Sequence, residues 1–153
     1  RQACQTALRR LGETPRDKLD TIEEALTGST AGIAPHELSL GRLGTFGSRN
    51  APRVLWVDLA GDVETLQRLQ EQVERALVPL GFPRDNRGFS AHLTLARVGP
   101  ESARDAAWPL AEAIGSVSAS PTLFEVGEVS LMMSKLGPGG TVYTQLKAFP
   151  LTG

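Results

Sequence analysis

The chain has 153 residues, 41% of them hydrophobic, with 16 Lys and Arg against 17 Asp and Glu; that is the length of one domain and the balance of a globular protein, so wholesale disorder is excluded. No apolar run approaches the ~18 residues that span a bilayer, Arg1 to Glu13 carry no signal-peptide pattern, and a lone Cys4 without a Cys/His cluster excludes an internal disulfide and a structural zinc. A net charge of −1 gives no global attraction to nucleic acid, so any such contact must be a local basic cleft, and the expected setting is cytoplasmic and reducing.

In chain order, the first helix signal opens at Thr14-Pro15. Thr14 is a capping residue, Pro15 suits the first helical position, Leu19, Ile22 and Leu26 fall on one face, and Gly28 is the expected stop. A second helix is expected from Asp62, with Leu66, Leu69, Val73, Leu77 and Leu80 as its buried stripe. A third lies over the Ala-rich stretch Glu101 to Ile114, weakened by Trp108-Pro109. Strand-like runs occupy Glu37 to Leu43, Arg53 to Leu59, Ala91 to Val98, Leu123 to Met132 and Val142 to Ala148, with turn signals at Gly47 to Pro52, Gly81 to Pro83 and Gly137 to Gly140. Several strands follow one another with no helix between, which favours α+β with antiparallel pairing over a doubly wound parallel sheet.

Two stretches repeat. Gln5-Thr6-Ala7-Leu8-Arg9-Arg10-Leu11-Gly12 lies over His92-Leu93-Thr94-Leu95-Ala96-Arg97-Val98-Gly99, and Leu38 to Leu43 lies over Phe124 to Val129. A helix signal follows the first stretch in both copies, so the chain reads as one domain of two related lobes, with repeat units roughly 1–60 and 88–153.

The sharpest chemical signal is Ser90-Ala91-His92-Leu93-Thr94-Leu95-Ala96-Arg97. Strand alternation projects His92 and Thr94 from one face and sends Leu93 and Leu95 into the core. An imidazole and a hydroxyl two residues apart on a rigid strand can both touch one phosphate: a histidine moves protons near neutral pH, and a threonine hydroxyl holds a phosphoryl oxygen. Alternation places Arg97 and its repeat mate Arg10 on the opposite face, so they reach such a site only if the strand bends. Arg53, Ser134 and Tyr143 stand at turn-to-strand junctions that can rim it, and Tyr143 can stack on a base. His36 reads as a surface or structural histidine, because the hydroxyl of His36-Glu37-Leu38-Ser39 falls on the wrong parity. Arg49 reads as a solvated loop charge, Phe46, Phe89 and Trp56 as core, and Cys4 as inert. Gly137, Gly139 and Gly140 read as a hairpin turn, since no Gly-Lys-Ser/Thr follows them.

These residues resemble the two-histidine phosphoesterases, specifically the LigT-like RNA 2′,3′-cyclic phosphodiesterases, also called 2′-5′ RNA ligases. The resemblance rests on His92 to Arg97, Leu11-Gly12-Glu13, Pro52 to Val57, Pro79 to Pro83 and Ser134 to Gly140, and it covers nearly the whole chain. It implies two pseudo-symmetric α+β lobes, each an antiparallel sheet with helices outside, and a central cleft carrying one H-x-T motif from each lobe. It implies no metal and no cofactor, and as partner an RNA or nucleotide ending in a 2′,3′-cyclic phosphate. His92 and Thr94 match the second motif. The first falls on Gln5-Thr6-Ala7, where Gln5 and Ala7 replace the expected His and Thr; a first strand and helix are also expected ahead of Arg1. The expected activity is therefore opening of the cyclic phosphate to a 2′-phosphate, with 2′-5′ ligation as its reverse, impaired in this chain because Gln5 has no proton to exchange at pH 7. The rival expectation is a non-catalytic RNA-end or nucleotide binding module of the same fold.

Overall fold

A computed structural model describes residues 8–48, 50–85, 88–99, 101–102, 110, 112, 114 and 122–153. The fold is α+β with antiparallel sheets. Helices α1 (Leu19–Thr30) and α2 (Val63–Leu77) accompany strands β1 (His36–Ser48), β2 (Ala51–Gly61), β3 (His92–Arg97), β4 (Leu123–Val126), β5 (Glu128–Gly137) and β6 (Gly140–Pro150). The strands form a four-stranded sheet in the order β3-β2-β1-β4 and a two-stranded β5-β6 sheet. The helix expected over Glu101 to Ile114 falls largely outside the described residues, as do Cys4, Gln5, Thr6, Ala7 and Arg49.

Two compact units divide the described residues. One holds Glu37–Val63 with Phe89–Phe124; the other holds Leu8–His36, Glu64–Gly88 and Glu125–Gly153. Each takes one stretch from each copy of the sequence repeat.

In the first unit, β2 is the central strand. Its alternation buries Val57 and Leu59 on one face together with Leu38 of β1 and Leu93 of β3, while Trp56 and Asp58 fall on the other. In the second unit α1, α2 and one face of the β5-β6 hairpin share a core of Ile22, Leu26, Leu69, Val73, Leu77 and Phe149, joined by Ile33, Phe82 and Leu151. The α2 stripe is the expected one, except that Leu80 follows in a 3₁₀ turn and is half-buried. Gly81, at φ +90°, then reverses the chain in a conformation that only glycine adopts without strain. Arg9 and Glu74 form a buried ion pair at 3.0 Å, and the Arg9 guanidinium also donates to the Pro83 carbonyl.

The first helix differs from expectation at both ends. A 3₁₀ turn at Arg16–Lys18 precedes it, and the Thr14 hydroxyl donates back to the Gly12 carbonyl at 3.4 Å instead of capping. It runs past Gly28 to Thr30, with the Thr27, Ser29 and Thr30 hydroxyls donating to the Glu23, Leu26 and Thr27 carbonyls. The single strand expected over Leu123 to Met132 breaks at Gly127, whose carbonyl accepts the Leu151 N–H at 2.9 Å. The Gly137 to Gly140 turn closes the β5-β6 hairpin as expected.

Leu69 is 0% exposed at the centre of the second unit's core. Leu69→Ala is expected to cost about 2–5 kcal/mol of stability, read as a lowered midpoint in denaturant unfolding; a loss well under 1 kcal/mol would contradict this packing.

Candidate functional site on strand β3

Strand β3 pairs with β2 in the register Asp58↔His92, Val57↔Leu93, Trp56↔Thr94, and then Leu55↔Ala96 and Val54↔Arg97. Leu95 is left without an opposite number, so β3 carries a one-residue bulge there. Directly opposed residues project from the same face of a sheet. His92 and Thr94 therefore share the face of Asp58 and Trp56, as alternation alone requires. Beyond the bulge the two faces exchange: Arg97, opposite Val54, returns to the His92 face, where unbroken alternation would have turned it away. Leu95 does not enter the core with Leu93; Leu93 is 6% exposed and Leu95 48%.

His92 is oriented by its own strand entry. Its Nδ1 lies 2.7 Å from the Ser90 carbonyl oxygen. A carbonyl only accepts, so Nδ1 carries the hydrogen of this bond, and in the neutral ring the lone pair that takes a proton is on Nε2. The imidazole also meets Phe46 edge-on, with centroids 5.1 Å apart and planes at 85°, and Trp56 at 6.4 Å and 63°. Phe46 and Trp56 lie 5.2 Å apart, tilted by 33°. A hydrogen bond and two ring contacts thus fix the imidazole on the exposed side of the sheet.

Two glycines shape the floor of this face. Gly44 stands opposite Trp56, and a Cβ there would lie 2.2 Å from the indole Cζ2, so the absent side chain is the space the ring occupies. A Cβ on Gly41 would lie 2.0 Å from Asp58 Oδ1, and the Arg42 backbone N–H donates to the same oxygen. The Asp58 carboxylate is thereby held on the strand position facing His92.

Phe46 is not an interior residue. Phe46 is 41% exposed and Trp56 half-buried, both on the His92 face. The sequence held a sign of this: Trp56 shares parity with Asp58, whereas the buried Val57 and Leu59 lie on the other parity. Arg53 is exposed, is skipped by the β1-β2 register, and meets Val98 only through its carbonyl at 2.9 Å. It is not part of the His92 row. Phe89 is half-buried.

The remaining candidates belong to the second unit. Ser134 and Tyr143 oppose each other across the β5-β6 hairpin, both exposed, on the face away from Val129, Leu131 and Phe149. Arg10 is exposed beside the half-buried Arg9. His36 is the structural histidine of the two alternatives: it is 6% exposed, and its Nδ1 lies 3.1 Å from the Ala34 carbonyl oxygen. Among the described residues no grouping of His, Cys, Asp and Glu could hold a metal ion, and no helix is long and apolar enough to cross a membrane.

The sequence pattern of the 2′-5′ RNA ligase superfamily matches residues 10–137. The chain belongs to this superfamily. It is 36% identical over 144 residues to an RNA 2′,3′-cyclic phosphodiesterase of Geobacillus stearothermophilus, covering 94% of this chain but 44% of that protein. To the RNA 2′,3′-cyclic phosphodiesterase of Methanothermobacter thermautotrophicus it is 34% identical over 145 residues, covering 94% of this chain and 76% of the relative. Among solved structures it resembles a Thermus thermophilus protein, at a TM-score of 0.73 and 26% identity over 95% of this chain and 76% of that one. It also resembles Escherichia coli LigT crystallised with 3′-AMP, at a TM-score of 0.66 and 26% identity over 95% of this chain and 75% of that one. The α+β antiparallel fold of this superfamily member is thus shared with proteins solved by crystallography.

The fit of Gly44 under Trp56 predicts a specific failure. Gly44→Ala pushes a methyl group into the indole, and the ring, being the free end of a side chain, gives way before the backbone does. The expected result is a stability loss of about 1–3 kcal/mol and a shifted tryptophan emission. An unchanged emission spectrum would show that Trp56 does not lie over Gly44.

Proposed function

We propose that this chain opens RNA 2′,3′-cyclic phosphates to 2′-phosphates through side chains alone, with His92 moving a proton and Thr94 and Arg97 holding the phosphate. The observation that carries this reading is the single face on which β3 sets His92, Thr94 and Arg97, with the imidazole pinned through Nδ1 to the Ser90 carbonyl. The superfamily and the names of the relatives support the same substrate class.

The chemistry balances as a displacement at phosphorus. A water oxygen forms a bond to phosphorus, the bond from phosphorus to the ribose 3′-oxygen breaks, water gives up a proton and the 3′-oxygen gains one. The phosphate stays on the 2′-oxygen. His92 Nε2 carries one of the two proton transfers. The Thr94 hydroxyl donates to a non-bridging oxygen and the Arg97 guanidinium offsets its charge as negative charge shifts among the phosphoryl oxygens. With a 5′-hydroxyl of RNA in place of water as the nucleophile, the same groups join a 2′-5′ bond: the 5′-oxygen bonds to phosphorus and loses its proton while the 3′-oxygen leaves and gains one. A cytoplasmic setting, where RNA ends are processed, goes with this reading.

Gln5 and Ala7 stand where a second His and Thr would complete the pair. An amide accepts and donates hydrogen bonds but does not relay a proton, so the second transfer falls to water and turnover is slow. That substitution is also what favours the second reading, in which the chain holds an RNA end or nucleotide without turning it over.

The deciding experiment uses an RNA oligomer ending in a 2′,3′-cyclic phosphate, in EDTA, with the product assigned as 2′- or 3′-phosphate. Conversion to 2′-phosphate is expected, falling about 10²–10⁴-fold in His92→Ala. Equal rates in the two chains would overturn the role of His92; no conversion with the oligomer still bound would leave the binding module. A second prediction concerns the first motif. The double variant Gln5→His, Ala7→Thr is expected to raise the rate by about 10²-fold or more, and an unchanged rate would show that Gln5 and Ala7 do not limit turnover.

A further inference from the structure

We infer that Phe46 is the stacking platform for the nucleobase of the terminal nucleotide and sets a preference for purine ends. This rests on the reading above and adds a specificity-determining residue to it. Phe46 stands 41% exposed at the end of β1, beside the imidazole rather than under it. It is one of several large apolar side chains that the described residues leave exposed, and it meets the His92 imidazole.

The ring is also held still. His92 meets it edge-on at 5.1 Å and Trp56 braces it at 5.2 Å. A ring with two fixed neighbours loses little freedom when a ligand covers its remaining surface, which is what a stacking platform requires. A phosphate engaged by His92 and Thr94 carries its base one ribose away, so the nearest apolar surface on the same face is the one the base meets. Phe46 has no polar atom to read a base edge. Its selectivity therefore follows stacked area, which favours adenine and guanine over cytosine and uracil.

The test separates stacking from support of His92. Binding is measured for two RNA oligomers ending in a 2′-phosphate, one with a terminal adenosine and one with an abasic terminal ribose, against the wild-type chain, Phe46→Leu and Phe46→Tyr. The wild-type chain is expected to prefer the adenosine end about tenfold; Phe46→Leu should lose that preference, weakening the adenosine end far more than the abasic end, and Phe46→Tyr should keep it. Equal weakening of both oligomers in Phe46→Leu would overturn the inference and make Phe46 a prop for His92. A wild-type chain that binds both oligomers equally would overturn it as well. Failure of the wild-type chain to bind either oligomer, or to convert the cyclic phosphate, would instead overturn the proposed function, and the base platform with it.

Discussion

A β-strand deals its side chains to alternate faces, so it can set an imidazole, a hydroxyl and a guanidinium on one face unaided only at every second position. His92 and Thr94 obey that spacing; Arg97 does not. The extra residue at Leu95 resolves the conflict by resetting the phase of β3 against β2, and Val54 then stands opposite Arg97 as Trp56 stands opposite Thr94. The cost is visible in Leu95, which leaves the apolar face and reaches solvent. The bulge lies on the strand at the end of the β3-β2-β1-β4 order, where such an irregularity disturbs one described neighbour instead of two.

Behind that strand, the sheet separates two requirements that compete for the same residues. One face of β2 gives Val57 and Leu59 to the interior and keeps the strand in place. The other carries an indole, a carboxylate and the rings around His92, and it is kept open by glycines at the positions where any side chain would collide with them. Small residues under large ones let aromatic groups lie against the sheet, and the imidazole gains fixed neighbours without being buried. The second unit repeats the division: β5-β6 turns Val129, Leu131 and Phe149 to the helices and leaves Ser134 and Tyr143 outside.

Much of this was legible in the residues. The α2 stripe, the strand positions, the hairpin at Gly137 to Gly140 and the shared face of His92 and Thr94 all follow from periodicity and turn chemistry. What escaped was phase. Leu95 has the composition of a core residue and only the pairing with β2 shows that it is skipped; whether the strand bends so that Arg97 joins the His92 face is likewise settled only by that pairing. Residue type alone puts Phe46 in the interior, and only its pairing with Val54 shows that it shares the open face with Trp56 and Asp58. α1 runs past Gly28 to Thr30, where the hydroxyls of Thr27, Ser29 and Thr30 fold back on the helix, although glycine elsewhere ends one. Gln5, Ala7 and their surroundings lie outside the described residues, so the first motif is known from its composition alone.

The interleaving of the two units bears on how the chain is made. Neither unit is a continuous stretch: the core that holds Ile22 and Leu26 also needs Leu69 and Val73 and then Phe149 and Leu151. During synthesis α1 emerges long before the hairpin that covers it, and its apolar face must wait, solvent-exposed or shielded by a chaperone, until Phe149 and Leu151 have left the ribosome. The contacts that finish the fold are distant in sequence, so their loop-closure entropy is met late. A break in the chain between α2 and β3 would leave two fragments that each contribute to both cores, able to fold only by finding one another.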